Sequence, residues 1–249
     1  MITPEDHRQA QKIDRLLRKL ERDYYKDLLS EKDQIVDQAS YNYEQRGVLL
    51  NELEIAEFTN KSAIVSRKFA DKAIFEFTIQ TRNFLQEPPP RPSFVAYTKD
   101  RYFQGFGLSK SKLAAETTIK DIKRIVGVGI SEGKGSKQIA REILKVKPMN
   151  RWRAEAVART EIGAAQSFSQ RASIEQIEQT TDKKIYKKWI STPDNRRRPS
   201  HEAMEGKEVL STEYFKVGDS LLYLPRDPNG APKEIINCRC TASLRFSRK

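Results

Sequence analysis

Four prolines within five residues, Pro88-Pro89-Pro90-Arg91-Pro92, constrain this chain more than any other feature. Proline lacks the amide donor, and its ring forces the preceding residue out of the α region, so no helix runs through this stretch. It marks a boundary, read either as a stiff polyproline linker or as a recognition segment. Before it, residues 3–86 carry helical periodicity. Thr3-Pro4-Glu5-Asp6 supplies an N-cap hydroxyl, a first-turn proline and two acids at the positive end of the helix dipole. Ile13, Leu16, Leu17, Leu20, Tyr24 and Leu28 then line one helix face. A second helical stretch reaches about Arg46, where Gly47 interrupts it. A third carries Leu50, Leu53, Phe58, Ile64, Phe69, Ile74, Phe77 and Phe84.

Beyond the prolines the pattern turns helical again. Leu113, Ile119, Ile122, Ile125 and Val126 mark one helix, which Gly127, Gly129, Gly133 and Gly135 are expected to end as a loop. Ser136 is placed as the cap of the next helix, with Ile139, Ile143 and Leu144 on its apolar face and Pro148 closing it. Asn150 is placed as the cap of a third helix, rich in alanine, that runs to about Thr180. After Lys183 the texture changes. Residues 185–190, 207–210, 221–224 and 239–246 read as short strands, separated by the turns Thr192-Pro193-Asp194-Asn195 and 225–230. The fold class is therefore α+β. Elongated N-terminal helices fill 1–86, and a proline-rich linker with a short extended segment fills 87–107. A central helical region follows in 108–180, and a small β-rich C-terminal module in 181–249.

Composition excludes several classes. No run approaches the ~20 apolar residues of a membrane span, and the first residues lack the basic and apolar regions of a secretory signal. Two cysteines cannot build a disulfide scaffold. The net charge of +12 fits either an anionic partner such as nucleic acid or a soluble protein with a lysine-rich surface. The excess is densest at the end of the chain, where residues 181–249 hold 15 basic and 9 acidic side chains.

Few patterns carry chemistry. The glycine segment 127–136 is not a phosphate-binding loop. Val128 stands where that loop needs its first glycine, and Gly135, not Ser or Thr, follows Lys134. The two histidines, His7 and His201, do not assemble a nucleophilic triad with the elements the sequence offers. His201, Cys238 and Cys240 offer the nitrogen and sulfur donors that zinc favours, and Asp194 is a candidate fourth ligand. A buried reduced cysteine pair and a local disulfide are the competing readings. Arg196, Arg197 and Arg198 are the candidates for phosphate contact.

One ordered set of residues carries a resemblance. Ala158-Arg159-Thr160-Glu161 is followed by a small-residue helix. Then come Trp189, Asp194-x-Arg196-x-Arg198-x-x-His201, Gly206 and Asn237-Cys238-Arg239-Cys240-Thr241. Over roughly residues 105–246 this resembles the head morphogenesis (minor head) protein family of tailed phages, typified by the Mu F protein. Residues 108–180 then correspond to the helical part of a Mu F-like domain. Many members carry Cys-x-x-Cys where this chain has Arg198-Pro199-Ser200-His201, and a histidine where Ile235 stands. The fuller set resembles a structural zinc site, of which His201, Cys238 and Cys240 remain here. Arg159, Glu161, Trp189, Gly206 and Asn237 are family positions with expected structural roles, and Glu155 lies one turn before Arg159 as an ion-pair partner.

The resemblance implies a non-enzymatic virion protein in the capsid interior near the portal, present in the host cytoplasm during assembly. It would aid head assembly and the packaging or exit of DNA. The implied partners are the portal protein, packaged double-stranded DNA bound without sequence preference, and scaffold or major capsid protein, with no membrane. The rival readings are a metal-dependent nuclease or other DNA-acting enzyme using the His/Cys site, and a free DNA-binding regulator.

Overall fold

The computed structural model describes residues 2–106, 109–145 and 151–247. Three long helices dominate. α1 spans Pro4–Arg46, α2 Glu52–Phe84 and α6 Arg151–Thr180, with α3 at Pro92–Phe106, α4 at Ser109–Ser131 and α5 at Ser136–Leu144 between them. The strands are β1 (Ile185–Ile190), β2 (Glu208–Leu210), β3 (Phe215–Val217), β4 (Ser220–Leu222) and β5 (Thr241–Phe246). Two four-residue helices, α7 (Pro199–Glu202) and α8 (Pro232–Ile235), interrupt them. The class is α+β, as the sequence indicates. Among the described residues no helix is long and apolar enough to cross a membrane.

The prolines end one helix and start another. α2 stops two residues before Gln86, whose φ is +53°, and the Glu87 amide donates back to the Arg82 carbonyl at 2.9 Å. That is a Schellman closure with glutamine in the left-handed position. Pro92 then opens α3, because the first helical position needs no amide donor. Residues 92–106 are therefore helical, which corrects the extended segment expected there.

The chain forms two compact units, each drawn from separated segments. One contains residues 1–21, 69–107 and 159–249, the other 22–68 and 108–158. The division runs across α1, α2 and α6 rather than between blocks of sequence.

In the second unit, Ile35, Val36, Ala39, Tyr43, Phe58, Ile119, Ile122, Val126, Ile139 and Ile143 share one core. Leu53 and Ile64, placed on the apolar face of the third helical stretch by sequence, are instead 82% and 67% exposed. Leu144 is exposed as well. Gly127 and Gly129 do not end α4. The helix continues to Ser131, and Gly133, at φ +69°, closes it with Gly133 N to Ile130 O and Lys134 N to Gly129 O hydrogen bonds. Core packing by Ile119, Ile122 and Val126 outweighs the low helix propensity of two glycines, about 1 kcal/mol each. Gly129 has a packing role. A Cβ there would lie 2.6 Å from Ile139 Cγ1 on α5. Nor does Ser136 cap α5; Gly135 stands extended at the cap, and its carbonyl accepts from Gln138 and Ile139. The stop expected at Pro148 and the cap expected at Asn150 lie outside the described residues.

In the first unit, β2-β1-β5 form an antiparallel sheet in which Ile185 faces Phe246, Ile190 faces Thr241 and Lys187 faces Val209. β3 and β4 make a hairpin over a two-residue turn with Gly218 at φ +56°. The start of α1 is fastened to the sheet. Gln9 exchanges hydrogen bonds with the Leu244 backbone, and Asp6 accepts from Lys188 Nζ at 2.8 Å and from Ser243 Oγ at 2.5 Å. Thr3 caps the helix as expected, and its amide donates to Asp6 in return.

Two predictions follow from these contacts. Gly127 has open space around it, so Gly127→Ala raises stability by up to ~1 kcal/mol. Gly129→Ala gains the same propensity but overlaps Ile139, at a cost of roughly 1–3 kcal/mol. Urea denaturation of the pair therefore shows Gly129→Ala less stable than Gly127→Ala. The second concerns acid. Burial raises the Asp6 pKa, but Lys188, Ser243 and Thr3 outweigh it and bring it from 3.8 to about 2. A lowered carboxylate pKa stabilises the fold above the unfolded value and ceases to do so as pH falls through the folded one. Asp6 thus contributes about 2 kcal/mol above pH 4, lost between pH 4 and 2. Thermal melts of Asp6→Asn lack that increment of acid sensitivity.

Candidate metal centre and its supports

Arg198 stands extended before α7 and Pro199 occupies its first position, so the short helix turns His201 inward, where it is buried. Cys238 and Cys240 lie just before β5. Both are buried. His201 Nδ1 is 3.4 Å from Cys240 Sγ and 3.6 Å from Cys238 Sγ. The other ring nitrogen, Nε2, is 3.1 Å from Glu234 Oε2. A carboxylate only accepts, so Nε2 donates, and a neutral ring leaves the Nδ1 lone pair facing both sulfurs. Ser200 Oγ donates to the same Glu234 oxygen at 2.8 Å. The Cys240 thiol donates to Cys238, which holds the Cys238 thiol well below its usual range against the effect of burial. The same bond, with burial, pushes Cys240 up.

These residues fit zinc. Tetrahedral zinc holds sulfur at about 2.3 Å and nitrogen at about 2.05 Å, which sets N and S about 3.6 Å apart. The two Nδ1–Sγ distances meet that spacing. A carboxylate behind the histidine is the usual device that orients a metal-bound imidazole. Nδ1 and the two sulfurs converge within 4.8 Å of one another. Among the described residues no fourth His, Cys, Asp or Glu joins this cluster.

Asp194 is not part of it. Both of its carboxylate oxygens are held by the Arg239 guanidinium, the second at 2.8 Å from Nη2, and the Arg196 amide donates to it. The Arg239 hydrogen bond, aided by Arg196, holds Asp194 far below the usual carboxylate range against slight desolvation. A carboxylate already chelating a guanidinium has no lone pair directed at the sulfurs, which corrects its placement as a ligand.

The family positions support the centre. Asn237, at φ +57°, donates its amide to Thr160 Oγ1 at 3.0 Å, and Arg159 donates to its side-chain oxygen while pairing with Glu21 at 3.2 Å. α6 therefore fixes the residue that precedes Cys238. Trp189, fully buried, meets the His201 ring edge-on at 5.5 Å and Phe215 at 5.3 Å. Gly206, at φ +71°, donates its amide to the Trp189 carbonyl. Glu161 is buried on α6.

The three arginines are not equivalent. Arg197 pairs with Glu202 at 2.8 Å, and Arg198 donates to the Ile236 carbonyl at 2.5 Å. Arg196 keeps a side chain 77% exposed, 3.5 Å from Asp194. Sequence reasoning missed Glu234 and Arg226. Glu234 stands beside two isoleucines, a position where a charge signals an internal partner. Arg226 lies in a turn cluster that reads as solvated, yet it is 4% exposed.

Residues 120–243 match the sequence model of the family described as "Phage Mu protein F like protein". That span runs from α4 into β5, and the match supports the resemblance to Mu F-like phage head morphogenesis proteins. A 113-residue segment is 35% identical to a protein of Enterococcus faecalis (strain ATCC 700802 / V583) named NAD(+)--arginine ADP-ribosyltransferase EFV. The alignment takes in 45% of this chain and 23% of that protein, so the chain spans under a quarter of the relative it matches. No solved structure matches.

Proposed function

We propose that this chain is a structural minor head protein of a tailed phage, bound to the portal inside the capsid, where it aids head assembly and the packaging or exit of DNA. The family match over residues 120–243 carries this reading. Two surface features support it. Leu53 and Ile64 are 11 residues apart, close to three helical turns, and so lie on one face of α2. Both are exposed, which suits docking to a protein such as the portal, scaffold or major capsid protein. Exposed cations suit packaged DNA. Besides Arg196, they include Lys123, Arg124, Lys137, Arg141 and Lys145 around α4 and α5, where Lys134 already holds Glu132 and Glu142. Contacts of that kind bind phosphate without reading sequence, and they weaken steeply with salt.

The metal has a structural role in this reading. His201, Cys238 and Cys240 would hold zinc, which would tie together segments of the module beside its core of Trp189, Met204, Phe215, Val217, Leu222 and Ile235. Full burial of all three side chains leaves no open face for a substrate and disfavours the nuclease reading. The transferase named in the Enterococcus faecalis relative is not carried over, because the aligned segment is a small part of that protein.

The direct test is co-expression with the portal protein of the same phage, followed by size-exclusion chromatography and native mass spectrometry. Co-elution at a defined stoichiometry is expected; separate elution of a monomer beside an empty portal overturns the portal-bound reading. In the same spectra the parent carries one zinc per chain, and Cys240→Ser carries none and melts at lower temperature.

A further inference from the structure

We propose that the cleft lined by α3 and α6 takes an unpaired nucleotide of single-stranded nucleic acid, its base against the aromatic side chains there and its phosphate at Arg101. This rests on neither the portal-bound reading nor the metal. The cleft encloses about 430 Å³, within the roughly 300–1,000 Å³ of small-ligand sites. α3 contributes Phe94, Tyr97 and Arg101, and α6 contributes Phe168, Arg171 and Glu175. Each set is spaced three and then four residues apart, so each lies on one face of its helix. Phe106, and Tyr223 from the segment after β4, bring the rings at the cleft to five.

These rings are not all spent on the core. Tyr97 is 56% exposed, and Phe94, Phe106 and Phe168 are half-buried. Phe168 is held edge-on against Phe106 at 5.6 Å and against Tyr102 at 5.5 Å. Most charges at the cleft are already engaged. Arg171 lies over the Tyr223 ring at 4.6 Å and pairs with Glu175 at 2.7 Å. Asp227 accepts from the Tyr223 amide at 2.8 Å with one oxygen and from Asn229 with the other. Arg101 differs. It is exposed, its guanidinium lies 5.8 Å from the Tyr97 ring, and among the described residues it pairs with no carboxylate. A free cation beside an exposed ring is what a single strand needs: the ring stacks on a base and the cation meets the phosphate, with no sequence read. A duplex cannot use such a cleft, because its bases are stacked inside the helix. A proline-rich peptide also docks on aromatic grooves, but it brings no anion to Arg101.

The test uses the full chain and fluorescence anisotropy, with a labelled oligothymidylate of ~10 nucleotides, the length one single-strand site covers, and a duplex of equal length. The parent binds the single strand more tightly than the duplex. Tyr97→Ala weakens single-strand binding by ~10-fold, the scale of one stacked base, and leaves duplex binding unchanged, while Tyr97→Phe keeps the parental affinity. Arg101→Met weakens single-strand binding and lowers its dependence on the logarithm of salt concentration by ~0.7, the share of one phosphate. Tyr97 and Arg101 are both exposed, so these variants keep the fold, which circular dichroism checks. Parental single-strand affinity in Tyr97→Ala, or a parent that binds duplex as tightly as single strand, overturns the proposal. Thymidine monophosphate bound as tightly as the oligomer assigns the cleft to a free nucleotide, and a polyproline peptide whose binding alone depends on Tyr97 assigns it to a peptide; either result overturns the single-strand assignment.

Discussion

Two hydrogen bonds from α6 to Asn237 determine where the chemistry of this chain lies. Thr160 takes the Asn237 amide and Arg159 takes its side-chain oxygen, and the left-handed backbone at Asn237 turns Cys238 inward. From there β5 runs antiparallel to β1 for six residues, which brings Trp189 over the same centre. Gly163 continues the helix face and gives Arg226 its place. The helix is lined with small residues because loops, not only another helix, must approach it closely.

The C-terminal module is held as much by buried polar contacts as by apolar area. Its core cluster of Trp189, Met204, Phe215, Val217, Leu222 and Ile235 includes both cysteines. Lys187 is fully buried, donates to the Ser211 and Glu213 carbonyls, and lies 3.5 Å above the Tyr223 ring, with burial bringing its pKa down to about 7. Lys188, next along β1, turns the other way to Asp6 and Glu208. Each charge inside the sheet is matched by a partner from another segment, which is the condition for burying it.

Much of the architecture was legible in the sequence. The stripe Ile13, Leu17, Leu20, Tyr24 and Leu28 is buried on α1, the long alanine-rich helix ends at Thr180, and the strands at 185–190 and 241–246 stand where their β-leaning residues placed them. The convergence of His201 with Cys238 and Cys240 was also readable from donor chemistry. What failed did so for tertiary reasons. Gly127 and Gly129 look like helix breakers until Ile139 packs against one of them. Asp194 looks like a ligand until Arg239, which is invisible as its partner across 45 residues, takes both oxygens. Adjacent lysines at 187 and 188 look solvated because alternation places only one face of a strand inside, whereas here both faces of β1 are covered. The two units escaped detection because long helices pass through both.

On the proposed reading, zinc held by His201, Cys238 and Cys240 would tie this module together, with α6 bracing the cysteine segment. Hydrogen exchange of the full chain, with zinc and after chelation, tests this most directly. The account predicts that chelation speeds exchange across residues 199–206 and 232–241, the segments that meet at His201, Glu234, Cys238 and Cys240. Equal protection in those segments with and without zinc would contradict it.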